Sequence, residues 1–365
     1  VNTALISFSV LCAVIMAFGF GFGNLSLKAL SVHGAYFGDC LDYLYIYVGS
    51  LPFIFLYNLG CGICSALGDS KTPFIFLVIS SVLNIALDFL FVCAFHMDVA
   101  GAAWATFISQ VISCILTGIV LVKKMKAVNS EEKPLKFNKS ILKELTIASV
   151  PVILQQCFVS VGNFFVNKRI NNLDTTGDAI TGFTTAFKLV YIANSSVISL
   201  TNGLSNFASQ NKASNQYSRI KQGFIAILVY SLIISTFFTI FMVSLPEQLT
   251  SVFIQKDKLT DAAMQHSVQF LTIVGAFLPL VCVKIVADGA VRGCGGNLGF
   301  AISTFTDLIL RVALVYVLID AGWGFSGVCW AWVIGWAVGT AIALGFWFGT
   351  KFLRGVKYFE KSSIN

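Results

Sequence analysis

The stretch LPFIFLYNLGCGICSALGDS, residues 51–70, is matched 227 positions later by LPLVCVKIVADGAVRGCGGN, residues 278–297. Leu51-Pro52 stands opposite Leu278-Pro279, Gly62 opposite Gly289, and Gly68 opposite Gly295. After one residue of drift, Gly101-Ala102-Ala103-Trp104-Ala105 lies opposite Gly327-Val328-Cys329-Trp330-Ala331. Pro, Gly and Trp carry the match, and these residues have special backbone or packing demands. Chance similarity between Leu-rich segments would align Leu and Val instead, so the chain reads as an internal duplication.

Outward from these stretches, apolar runs of about 20 residues, the length that crosses a bilayer, recur to the end of the chain. Hydrophobic residues make up 57% of the chain, charged residues 11%, and the mean hydropathy is +0.83. Such a composition belongs in a bilayer. A secretory signal peptide would instead be one short apolar run before a polar domain. The runs do not alternate apolar and polar residues, which excludes a membrane barrel. Spans are expected near 1–25, 42–66, 73–95, 99–122, 146–167, 180–209, 222–245, 265–291, 297–319 and 325–349.

Residues 1–123 pair with roughly 224–350, whereas the apolar segments between about 146 and 210 have no partner, because it would precede Val1. The expected architecture is an all-α membrane protein of two parallel six-helix repeats around a central cavity. This is a twelve-helix fold with about ten helices present and the first two absent. The domains are an N-lobe over 1–123, a linker over 124–145, a C-lobe over 146–350 and a tail over 351–365. The linker carries Ser130-Glu131-Glu132-Lys133-Pro134 and a dense charge run, the mark of a boundary.

The formal net charge of +7 follows topology. Lys71, the lysines of 123–143, Lys212, Arg219, Lys221 and the basic tail fall on one side when the spans alternate. Lys28, Lys168, Arg169, Lys256 and Lys258 fall on the other. The basic side is expected to be the cytoplasm, with linker and C-terminus there and the chain in the cell membrane. No nucleic-acid partner is needed to explain the charge. Cys61 and Cys64 have CxxC spacing, but in an apolar helix they read as packing residues. His33, His96 and His266 lack ligand spacing, so no metal site of the His/Cys type is expected. Phe18-Gly19-Phe20-Gly21-Phe22-Gly23 follows no strand and precedes no Lys-Ser/Thr, so it is no phosphate loop.

Gly68-Asp69-Ser70-Lys71-Thr72-Pro73, Asn84, Asp88 and Gly101-Ala102-Ala103-Trp104-Ala105-Thr106 resemble the N-lobe signature of the multidrug and toxic compound extrusion family. Asp288-Gly289-Ala290-Val291-Arg292-Gly293 and Gly335-Trp336 resemble its C-lobe signature. The resemblance runs through nearly the whole chain. It implies a transporter rather than an enzyme, driven by an ion gradient.

Each intramembrane carboxylate costs about 2.5–3.5 kcal/mol on insertion scales and so calls for a reason. Asp88 lies within its span, four residues after Asn84 and on the same helix face. Thr106, about seven residues or roughly 10 Å into the next span, reaches a similar depth. Amide, carboxylate and hydroxyl oxygens suit a hard monovalent cation, or the carboxylate takes a proton. The resemblance implies that Asn84, Asp88 and Thr106 join an acidic residue of the family's first helix in a cation or proton site. That partner is expected among the absent residues. Asn58 is a further candidate for this cluster.

The second lobe carries Lys284 and Asp288 on one span, Asp307 and Arg311 on another, and Lys188 on a third. The four-residue spacings permit pairing within each helix, and the alternative is a polar patch lining the cavity. Gln155, Gln156, Asn163, Asn167 and Asn194 line that cavity or bond helix to helix. One branch of the family bears sodium-binding acids where this chain has Gln155, Gln156 and Val281, which favours coupling in the N-lobe. Pro279, inside a span, frees a backbone carbonyl and allows bending.

The expected function is secondary antiport: export of organic, often cationic, drugs or metabolites in exchange for H+ or Na+, with no cofactor and the protein acting as a monomer. The alternative is a flippase for lipid-linked oligosaccharide, for which Lys188, Lys284 and Arg311 would hold pyrophosphate.

Overall fold

The computed structural model describes residues 2–29, 37–69, 71–127, 137–254 and 260–349. Residues 128–136 of the linker, Lys256, Lys258, His33 and the tail from 350 onward lie outside them. The fold is an all-α membrane fold built as two repeats. Twelve α-helical elements stand among the described residues: α1 Asn2–Ala29, α2 Phe37–Ala66, α3 Lys71–Asp88, α4 Asp98–Ala127, α5 Lys139–Asn171, α6 Asp178–Ala213, α7 Tyr217–Ser244, α8 Pro246–Phe253, α9 Asp261–Ala276, α10 Leu278–Gly293, α11 Asn297–Leu318 and α12 Gly324–Gly349. Contacts divide the chain into two compact units, Val1–Ile147 and Ala148–Asn365.

The count of ten helices does not stand. The run read as one span at 265–291 is two helices, α9 and α10, bent by 55°. The break is at Phe277, where Pro279 in the first turn of α10 supplies no N–H to the preceding turn. Helix α8, eight residues and amphipathic, is too short to register as a span. Seven of the described helical stretches are long and apolar enough to cross a membrane, or eight if α9 and α10 count as one.

In the first unit α1 packs on α2, and α4 packs on both α2 and α3. Gly19 and Gly23, four residues apart, let α1 approach closely. A Cβ on Gly19 would lie 2.8 Å from Val48 Cγ2, and one on Gly23 would lie 3.0 Å from Leu44 Cδ2. The Phe-Gly run therefore packs a helix and forms no loop. Val10, Val14, Phe18 and Leu25 stay exposed on α1, as lipid-facing side chains do.

In the second unit α6 packs on α7, α9 and α10, while α12 packs on α10 and α11. Its core holds Phe183, Phe270, Val274, Val315, Trp332 and Trp336. The duplication is visible in the backbone. Gly68 and Gly295 both have left-handed φ, +83° and +79°, at the turns that follow α2 and α10. Helix α3 passes into a π-helical segment, Phe89–Ala94, and α11 passes into another, Ile319–Trp323. Two left-handed residues mark each passage into the next helix, His96 and Asp98 after the first π segment, and Gly322 within the second with Gly324 just after it.

Candidate functional site

Helices α10 and α11 each place an acid and a base one turn apart, and the four side chains meet. Lys284, Asp288, Asp307 and Arg311 are 6%, 4%, 5% and 8% exposed. Lys284 Nζ donates to Asp288 Oδ2 at 2.8 Å and stands 3.9 Å from Asp307 Oδ2. Arg311 Nη2 lies 3.1 Å from Asp307 Oδ2, and its Cζ sits 3.9 Å from the centre of the Trp332 ring, a cation–π contact. Two positive and two negative charges cancel, which is what burial demands.

Helix α12 closes the cluster with glycines. A Cβ at Gly335 would come within 2.7 Å of Asp307 Oδ1, and one at Gly339 within 2.5 Å of Lys284 Cε. Ser303 Oγ donates to the Gly339 carbonyl at 3.2 Å, and Thr340 Oγ1 donates to the Leu280 carbonyl at 3.2 Å, tying α11 and α10 to α12. Among the described residues, three buried atoms of the cluster have no hydrogen-bond partner: Asp288 Oδ1, Asp307 Oδ1 and Arg311 Nε. Trp332, Gly339 and Thr340 were not singled out in the sequence, although Gly335 and Gly339, four apart, mark the face of α12 that admits bulky side chains.

The positions 227 residues earlier are Tyr57, Cys61, Ser80 and Asn84, so the first copy holds neutral polar groups where the second holds charges. Ser80 Oγ donates weakly to the Ser109 carbonyl, at 3.4 Å, linking α3 to α4. Asn84 Nδ2 is buried without a partner among the described residues. One turn later Asp88 ends α3, half-buried, where the π-helical segment begins. Thr106 is half-buried on α4. Among the described residues no hydrogen bond or ion pair joins Asn84, Asp88 and Thr106 to one another. Asn58 is exposed and donates to the Ile54 carbonyl of its own helix at 2.8 Å.

The remaining polar candidates are dispersed. Gln155 is buried on α5, Asn163 and Asn194 are half-buried, and Gln156, Asn167 and Lys188 are exposed. None of them bonds to the four charged residues among the described residues. There too, no group of three or more His, Cys, Asp or Glu side chains stands close enough to hold a metal.

The basic groups gather at one end of each unit. In the first unit Lys124 Nζ, near the end of α4, lies 2.5 Å from Asp69 Oδ2 in the α2–α3 turn. In the second, Lys212 Nζ at the end of α6 donates to the Cys294 carbonyl in the α10–α11 turn at 2.6 Å. At the other end of the second unit Arg169 pairs with Asp320.

The model of the MatE family matches residues 1–90 and 151–317. Among curated relatives, the probable multidrug resistance protein YpnP of Bacillus subtilis is 27% identical over 336 residues, which is 92% of this chain and 71% of that one. The multidrug export protein MepA of Staphylococcus aureus is 24% identical over 294 residues, 80% of this chain and 63% of that one. The chain thus spans less than two thirds of the length of MepA. An outward-facing multidrug resistance MATE transporter of the MOP superfamily superposes with a TM-score of 0.87 at 20% identity, over 98% of this chain and 79% of that one. A MOP superfamily transporter from Pyrococcus furiosus gives 0.86 at 20% identity, over 95% and 77%. The family match begins at residue 1, and the described residues hold twelve α-helical elements where ten were expected. With the repeated fold and a match over more than half of its length, the chain belongs to the MatE family.

Proposed function

We propose that the chain is a secondary antiporter that exports organic, often cationic, compounds in exchange for protons or sodium, with Asp88 as the coupling carboxylate. The observation that carries this reading is Asp88 itself: a half-buried carboxylate within an apolar span that has no ion-pair partner among the described residues, one turn after Asn84, whose buried Nδ2 has no partner among them either. A carboxylate so placed is costly unless it binds something. Thr106 on α4, the helix packed against α3, offers a hydroxyl to the same ion. Asn58 is a weaker member, since its amide is already bonded. The relatives named for multidrug resistance and export support the substrate class.

The flippase reading loses its cations. Lys284 and Arg311 are already neutralised by Asp288 and Asp307, which leaves the exposed Lys188 to hold a pyrophosphate. The protein is read as a monomer of the cell membrane, with its basic ends in the cytoplasm.

The test is uptake or release of a fluorescent cationic dye by proteoliposomes of the purified chain under an imposed pH or sodium gradient. Transport driven by one gradient and abolished in Asp88→Asn is the expected result. Transport that survives Asp88→Asn unchanged would return Asp88 to a structural role.

A further inference from the structure

Helices α1 and α2 touch closely in one half and stand apart in the other. At Gly19 a Cβ would lie 2.8 Å from Val48 Cγ2, so the two helices are in tight contact there. Towards the start of α1, Phe8 meets Phe55 edge to face with ring centres 6.4 Å apart, and two rings at an interface prop helices open. The wedge between these contacts is a cavity of about 190 Å³, walled chiefly by Phe8, Cys12, Met16, Pro52 and Phe55. Cys12 is buried at its floor, whereas Ser9, Ala13 and Leu56 at its mouth are exposed, beside the lipid-facing Val10 and Val14. No charged side chain lines it.

The duplication shows that the cavity belongs to the first unit alone. Gly275 stands 227 residues after Val48 and Met242 stands 223 after Gly19. A Cβ on Gly275 would lie 3.1 Å from Met242 Cβ, so the second unit keeps the tight contact with the large and small partners exchanged. At the same spacings Phe8, Cys12 and Phe55 become Ser231, Ser235 and Cys282, which are 0%, 3% and 1% exposed. Cys282 lies against Ser235 where α10 meets α7. Small side chains close in the second unit what two phenyl rings hold open in the first.

We propose that the α1–α2 cavity is a binding site for a neutral, monocyclic aromatic compound that enters from the bilayer. An apolar cavity of about 150 Å³ stays dry and takes up benzene, so this one has room for a single substituted ring. The ring edges of Phe8 and Phe55 attract an aromatic face, and the Met16 thioether makes favourable contact with a ring edge. Ser9 places a hydroxyl at the mouth for a polar substituent. From Phe8 to Met16 the helix rises about 12 Å, and the Gly19–Val48 contact shuts the far end. An extended acyl chain, which crosses half of the hydrocarbon core or roughly 15 Å, finds no continuous channel. The site lies on α1 and α2, apart from Asp88 and from the charged cluster of the second unit.

The test is photolabelling of the chain in lipid nanodiscs with a benzyl alcohol that carries a trifluoromethyl diazirine, the labelled residues being mapped by mass spectrometry. Saturable labelling within residues 8–16 and 52–59 is expected. Unmodified benzyl alcohol at about ten times its half-saturating concentration should lower that labelling about elevenfold. Ile233 and Phe237, exposed on α7, serve as the lipid-facing control, where labelling should neither saturate nor respond to the competitor. Ala13→Leu blocks the mouth from an exposed position and should abolish the saturable labelling while leaving that of α7. Ser9→Leu does the same should Ala13→Leu fail to fold, and competition in the wild-type chain decides the matter without either. Labelling of the two segments that resembles that of α7, or that persists unchanged in the blocked variant, overturns the proposal. So does equal competition by 1-octanol at equal membrane concentration, which would mean that alkyl chains fill the cavity. No arm measures transport, so the antiport reading stands or falls separately.

Discussion

Asp69 shows how one side chain closes one end of the first unit. It accepts hydrogen bonds from the backbone N–H groups of Lys71 and Thr72, both at 3.1 Å, and from Thr72 Oγ1 at 2.5 Å, while Lys124 Nζ meets it from α4. The Lys124 ammonium first, then the Thr72 hydroxyl and N–H, hold its carboxyl well below the usual carboxylate range. A carboxylate with a depressed folded-state pKa contributes its full stabilisation above the unfolded value, about 3.9. That contribution fades as the pH falls through the lower folded value. The melting midpoint of the wild-type chain should therefore exceed that of Asp69→Asn near neutral pH, by a small margin because the pair is solvent-screened. The gap should close as the pH drops below about 4, and a gap independent of pH would mean that the cap, not the charge, stabilises the turn. The sequence marked Asp69 only as part of a motif, since its partner Lys124 lies far along the chain. The same limit applies to the charged cluster. The spacing of Lys284 from Asp288 and of Asp307 from Arg311 is legible, but the approach of Lys284 to Asp307 depends on how α10 and α11 are rotated against each other, which no local pattern records.

At the scale of elements, the places where helices break were the least legible. Pro52 and Pro279 occupy equivalent positions, yet Pro52 sits inside the continuous α2 while Pro279 opens a new helix after a 55° bend. A proline removes one hydrogen bond in either case, and the surrounding packing decides whether the helix bends or breaks. The π-helical segments were not foreseen at all, because they arise from hydrogen bonds that skip one residue further, as in Phe95 N–H to the Leu90 carbonyl at 3.0 Å. The left-handed residues beside or within them offer a test. His96 holds φ at 52° where the second copy has Gly322 at 86°, and a side chain in that region costs on the order of 1 kcal/mol. His96→Gly should raise the melting midpoint of the protein and Gly322→Ala should lower it. Both positions lie at the end of a π segment, so equal and negligible shifts would mean that the backbone there relaxes without cost.

For the whole molecule, the duplication carried most of the information. It predicted paired turns and paired helix sequences, and the structure reproduces them down to two left-handed residues at the passage from each π segment to the next helix. Its over-reading was the helix count, since a repeat measures correspondence between copies and not the number of breaks inside either. Orientation in the membrane rests on a different signal, the segregation of lysine and arginine, and it decides the direction of transport. Helix α6, Asp178–Ala213, has Thr175 just before one end and Ser214 just after the other, both exposed. Ser214 lies at the end where Lys212, Arg219 and Lys221 gather, which the positive-inside rule assigns to the cytoplasm. With the native cysteines replaced, a membrane-impermeant maleimide applied to intact cells should label Thr175→Cys and spare Ser214→Cys until the cells are permeabilised. The reverse pattern would put the basic ends outside. An exporter's gradient-coupled cycle would then have to be read in the opposite direction, because Asp88 near the far end of α3 would face the cytoplasmic proton or sodium pool instead of the external one.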